Sequence, residues 1–127
     1  MAGLDFTLSA TPPGGASDIT LGSDGNLWFT QPNSNGVARI TPSGGVSNVP
    51  APTAVAGADS IVAGPDGNLW YTESKAGNIA RVTTSGTVTE FKINTPGSSP
   101  SAITVGRDNT LWFIDNGSHD VGKVTFS

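Results

Sequence analysis

The sequence predicts an all-β fold: β-propeller blades of four antiparallel strands, three blades per chain, completing a six-bladed ring as a homodimer. Three observations carry that expectation. A nine-residue phrase recurs, as GSDGNLWFT (Gly22 to Thr30), GPDGNLWYT (Gly64 to Thr72) and GRDNTLWFI (Gly106 to Ile114). The spacing is even: Ile19, Ile61 and Ile103 lie 42 residues apart, as do Trp28, Trp70 and Trp112, then Val37, Ile79 and Val121, then Arg39, Arg81 and Lys123. Gly or Pro interrupts every window in which apolar residues would recur at helical spacing, which removes helical repeats. Four short strands in a period of this length fit a propeller blade.

The middle unit shows the elements in order. SIVAG (Ser60 to Gly64) is a short β-branched run and supplies the innermost strand. PDGN is a turn, with Asp66 bonding its own backbone and Gly67 supplying a positive φ. In the third unit Asn109 takes the Gly place, and Asn tolerates that conformation best after Gly. NLWYTES (Asn68 to Ser74) is the aromatic second strand, KAGN turns, and IARVTT (Ile79 to Thr84) alternates apolar and polar as the third. SGT turns again, VTEFKI (Val88 to Ile93) is the outer strand, and the Pro-rich NTPGSSPS leads to the next unit.

Composition agrees. In 127 residues, apolar types make up 35% and charged types 13%, and 17 Gly and 9 Pro supply turns. The net charge of −4 argues against nucleic acid as a partner, because phosphate binding needs a basic surface. Cysteine is absent, which excludes disulfides, thiolate metal sites and a Cys nucleophile. No run approaches the length of a membrane span, and the N-terminus lacks the charged and apolar regions of a signal peptide. The expectation is a chain with no membrane partner, cytoplasmic if native.

The pattern I-T-x-G-x-D-G-N-L-W-F-T, then G-N-I-A-R-V-T, then G-T-V-T-E-F, resembles the streptogramin (virginiamycin B) lyase family over nearly the whole chain. The resemblance implies near-identical propeller blades, seven in those enzymes. It also implies lactone opening of a cyclic peptide antibiotic by elimination, with a His general base and a further His and a Glu near a magnesium ion. The family's His residues precede the innermost strand in P-H-x-I. The matching positions here are Ser17, Asp59 and Ser101. The family's Glu maps onto Gly15, Gly57 and Ser99. The resemblance therefore implies lyase blades without the catalytic His and Glu, and without residues matching the magnesium site, so no cofactor is expected.

Three blades form an open arc, and a propeller needs about four or more to close. An open arc exposes apolar blade faces and an unpaired strand edge. GKVTFS reads as the third strand of the last blade, and LDFTLS, about residues 4–9, alternates Leu4, Phe6 and Leu8 like an orphan outer strand. A two-fold dimer, the commonest homo-oligomer symmetry, would let this strand complete the partner's last blade. A nine-bladed trimer and a fragment of a longer gene are the alternatives. The module reads as a natural, excised or engineered half-propeller.

Several residues invite functional readings. The three Trp could line ligand clefts, but mid-strand aromatics in such runs pack between blades. His119, the one histidine, could be a base or ligand, but NGSHDVG reads as an exposed hairpin turn. Asp24, Asp66 and Asp108 offer one carboxylate per turn, fewer than calcium needs. Arg39, Arg81 and Lys123 are expected to cover apolar surface with their stems and to pair with acids such as Glu73 and Glu90. Ser17, Asp18, Asp59, Ser60 and Ser101 precede or start the innermost strands, at one mouth of the channel. They are the candidate ligand-binding set, with a water-filled channel as the plainer reading.

Overall fold

The computed structural model describes residues 3, 4, 12, 15–34 and 36–126. It contains three antiparallel sheets in which sequential neighbours pair. Blade 1 is β1 (Ile19–Leu21), β2 (Leu27–Thr30), β3 (Val37–Ile40) and β4 (Val46–Val49). Blade 2 is β5 (Ala58–Ala63), β6 (Leu69–Glu73), β7 (Asn78–Val82) and β8 (Val88–Lys92). Blade 3 is β9 (Pro100–Val105), β10 (Leu111–Asp115) and β11 (Asp120–Val124). The all-β meander read from the repeats is the fold observed. The innermost strand of blade 2 starts two residues earlier than expected, across a register shift between Ala58 and Ile61. The expected outer strand at residues 4–9 falls, apart from an exposed Leu4, outside the described residues.

The recurring phrase is a turn built to hold an indole. Asp24 Oδ1 accepts from the Asn26 amide at 3.2 Å and from Trp28 Nε1 at 3.2 Å. Asp66 does the same for Asn68 and Trp70, at 3.2 and 3.0 Å. The turn residue between them has a positive φ: 81° at Gly25, 83° at Gly67 and 60° at Asn109. In blade 3 a Thr replaces the Asn. Its hydroxyl accepts from Trp112 Nε1 at 2.9 Å and donates to Asp108 at 2.7 Å, relaying the same contact. Burial pushes Asp24 and Asp66 up, but the hydrogen bonds from the indole and the Asn outweigh it, so both carboxyls sit below their ordinary value.

Two cores lie between the blades. Trp28, Val37 and Val49 of blade 1 pack on Ile61, Leu69, Tyr71, Ala80 and Val82 of blade 2. Trp70 and Ile79 of blade 2 pack on Ile103, Leu111 and Phe113 of blade 3. Each blade thus has a leading face toward the preceding blade and a trailing face toward the next. The tryptophans belong to trailing faces. Trp28 and Trp70 are buried as expected, whereas Trp112 is 37% exposed because no described blade covers it.

The expected partners of the recurring cations need correction. Arg39 sits directly across the strand pair from Trp28, Arg81 from Trp70 and Lys123 from Trp112. Each cation lies over its indole, at 5.7, 5.8 and 5.2 Å from the ring centroid. The acid near Arg39 is Asp24, at 3.9 Å, and its Nη1 donates to the Thr84 carbonyl of the next blade at 3.1 Å. Glu73 is buried beside Asn78, and Glu90 accepts from Thr53. Cross-strand pairing sets each cation directly opposite an indole, so the ring face is the neighbour the ladder supplies.

Candidate functional site at the inner ends of the blades

The five candidate residues lie where each innermost strand begins. Asp18, Ser60 and Ala102 are the same repeat position, one residue before the recurring Ile. Asp18 Oδ2 accepts from the Ser60 hydroxyl at 3.1 Å and from the Ile61 amide at 2.9 Å, both on the next blade. Ser60 Oγ in turn accepts from the Ile103 amide of blade 3 at 3.2 Å. Asp18 Oδ1 accepts from the amide of its own neighbour Ile19 at 2.9 Å. Asp18 and Ser60 are therefore side-chain neighbours that join blades.

A second series runs beside the first, on a residue the sequence reading did not single out. Thr30 Oγ1 accepts from the Asp18 amide at 3.1 Å and donates to the Asp59 carbonyl at 2.8 Å. Thr72 Oγ1 accepts from the Ser60 amide at 3.0 Å and donates to the Ser101 carbonyl at 2.9 Å. Both threonines are fully buried. Asp59 and Ser101 thus enter the joints through their backbone carbonyls, and Ser17 is exposed, its amide donating to Thr30 O at 3.1 Å. The signal was visible as a polar Thr closing an apolar strand in LWFT and LWYT.

Chemically, this site is a ladder of hydrogen bonds that engages the side chains of Asp18 and Ser60, while Asp59 and Ser101 join it through the backbone and Ser17 stands exposed beside it. Asp18 has three donors on its carboxylate, and among the described residues no three His, Cys, Asp or Glu side chains come together. This donor set does not fit a magnesium ion, which takes oxygen ligands in octahedral array. His119 lies in the β10–β11 turn, exposed and with φ 62°, away from the inner ends.

A carboxyl outside the predicted set is strongly perturbed. Glu73, at the end of β6, is completely buried. Burial first, and next the neighbouring Glu90 carboxylate, push it up to about 8. Its Oε1 accepts from Asn78 Nδ2 at 2.9 Å. Its Oε2 and the Tyr71 hydroxyl have no hydrogen-bond partner among the described residues. A protonated Glu73 is the species that fits, because it can donate toward Glu90.

Radially arranged antiparallel meanders, of four strands in the first two blades and three described strands in the last, joined at their inner ends by such a ladder, define a β-propeller repeat protein. The chain belongs to the virginiamycin B lyase family, whose model matches residues 4–127. It is 44% identical to the crystal structure of virginiamycin B lyase from Staphylococcus aureus, with a TM-score of 0.85, over 89% of this chain and 39% of that one. A streptogramin B lyase structure is 36% identical, with a TM-score of 0.75, over 86% of this chain and 40% of that one. An auxiliary nutrient binding protein from Bacteroides ovatus shares the fold at 20% identity and a TM-score of 0.71, over 93% of this chain and 30% of that one. No curated protein matches. The chain thus spans about two-fifths of the length of the solved lyases.

Proposed function

We propose that this chain is a lyase-family propeller module whose property is closing a ring with a second copy of itself, and that it does not carry the family's elimination chemistry. One observation carries the reading. Several positions buried in the inner joints are open at the two ends of the arc, while Phe29 and Ala38 of the leading face of blade 1 stay buried. Ile19 is 57% exposed where Ile61 is 4%, and Val121 is 68% exposed where Val37 is 0%. Contiguous apolar faces of this kind mark association surfaces. In the closed ring the partner's residues 4–9 complete blade 3 along the edge of β11, beside a cavity of about 530 Å³ lined by Trp70, Phe91 and Phe126 among others. A ligand would meet Ser17, Asp18, Asp59, Ser60 and Ser101 at the channel mouth, without a metal cofactor.

Native mass in solution tests this. Twice the 12.8 kDa chain mass is expected for six blades, with three times for a nine-bladed ring. A stable single-chain mass overturns the reading. The identity to two solved lyases favours a second one, a short lyase opening a streptogramin B lactone. Elimination needs a base within reach of the proton, and the one His lies in an exposed turn. Lactone opening by the chain alone, abolished by His119→Ala, would establish that alternative.

A further inference from the structure

The hydrogen-bond ladder that joins blade 1 to blade 2, and blade 2 to blade 3, stops inside blade 3. Where the first two blades carry Asp18 and Ser60, blade 3 carries Ala102. Where they carry Thr30 and Thr72, it carries Ile114, which is 46% exposed. Neither the Ala nor the Ile side chain can accept from or donate to a following blade. Val121 and Trp112 continue this trailing face, with Lys123 lying over the indole, so the inner end of the face is apolar where the inner joints are clasped.

The leading face of blade 1 differs in a matching way. Ile61 and Ile103 give their amide protons to the preceding blade. Ile19 gives its own to Asp18 Oδ1, inside blade 1. That amide therefore needs no acceptor from outside. Around it Ile19, Leu21, Leu27 and Val46 are exposed, 57% and 61% in the first two cases. Burying an amide without a partner is costly, and burying an apolar surface is favourable and non-directional. The face that offers no acceptor suits the face that asks for none.

We propose that the trailing face of blade 3, Ala102, Trp112, Ile114 and Val121, seats the leading face of blade 1 of a second copy, as an apolar joint without the hydrogen-bond ladder of the inner joints. This rests on the ring reading and specifies which surfaces close it. The inner joints supply the geometry, since each already seats a leading face on a trailing one. The side chains of Asp18 and Ser60 touch at 3.1 Å across the first joint, so positions 102 and 18 of two copies meet across the new one.

The test uses the full chain, which contains no cysteine. Ala102→Cys and Asp18→Cys chains are mixed, oxidised and run without reductant, and Val121→Lys is sized beside the wild type. The expected results are a 102-to-18 disulfide found only in the mixture, and a shift of Val121→Lys to single-chain mass with its β-sheet circular dichroism kept. Val121 is exposed in one chain, so its charge burdens only the assembly. Because Asp18→Cys removes an inner clasp, the Val121→Lys arm stands independently of it. A wild type of three-chain mass with both responses supports the same joint. A single-chain wild type removes the ring reading, and the joint with it. A multimer that Val121→Lys leaves intact, or one crosslinked through Val121→Cys to itself and not through 102 and 18, overturns the joint while self-association stands.

Discussion

An indole lying flat on a β-turn leaves no room for a side chain where the turn begins. At Gly64 an added Cβ would sit 2.5 Å from Trp70 Cδ1 and 2.8 Å from Asp66 Oδ1. The same glycine recurs at Gly22 and Gly106, against Trp28 and Trp112. The repeated phrase is thus one contact set: glycine for space, aspartate for the indole N–H (through Thr110 in the third copy), and a positive φ between them. Overpacking of a filled site costs about 1–3 kcal/mol. Gly64→Ala is therefore expected to lower unfolding free energy by roughly that amount, measured by urea titration of tryptophan fluorescence. An unchanged midpoint would show that Trp70 has room to move. Glycine and tryptophan at a fixed offset could be read from the sequence, but their contact could not, because the offset alone does not say that the ring folds back over the turn.

At the scale of the strand, the end of each second strand carries a buried polar residue: Gln31, Glu73 and Asp115, all one repeat apart. The three satisfy burial differently. Gln31 is neutral. Burial pushes Asp115 up, but the Ser99, Gly117 and Ser118 amides, at 2.8, 3.0 and 3.4 Å, outweigh it and hold it below its ordinary value. Glu73 has no such set of amides and sits near Glu90, so its pKa rises from 4.5 to about 8. A carboxyl raised on folding binds its proton in the folded state and has lost it in the unfolded one between those two values. Stability is therefore fully present below about 4.5, falls as pH rises, and has lost this contribution above about 8. Glu73→Gln, which copies blade 1, is expected to remove that slope and to be the more stable chain above pH 8, by a margin on the order of a few kcal/mol. Urea midpoints of both chains across that range check it, and parallel pH curves would refute the assignment. The strands themselves were legible, since period, turn residues and β-branched runs all agree. The ion pairs expected for Arg39, Arg81 and Lys123 were not, because cross-strand register sets each against an indole, and register follows from pairing, not from spacing along the chain. Glu73 offered one faint signal: its repeat partner Gln31 carries no charge.

At the scale of the molecule, the blades are beads held by nearest-neighbour joints, and stability in such arrays is a sum of unit and joint terms. The joints are polar as well as apolar, and this was the least legible part of the candidate site. Asp18 reaches Ile61 across 43 residues of chain, and Thr30 reaches Asp59 across 29. Only the blade-to-blade packing brings them together. Thr72 is the hinge pin of the second joint, accepting from Ser60 and donating to Ser101 while fully buried. Thr72→Val keeps the shape and removes both bonds, leaving the Ser60 amide and the Ser101 carbonyl without that partner. Leaving a buried group unsatisfied costs about 1–3 kcal/mol. Because the loss sits in one joint, it should not spread evenly. Amide exchange in β9, β10 and β11 is expected to accelerate by roughly tenfold or more, the equivalent of about 1.4 kcal/mol, while β1 to β4 change little. Ile114→Val, the same position one blade on, makes no hydrogen bond to lose and should leave exchange in the first two blades as it was. Uniform acceleration across all eleven described strands in Thr72→Val would mean that the blades unfold as one unit and that the joint is not a separable energetic element.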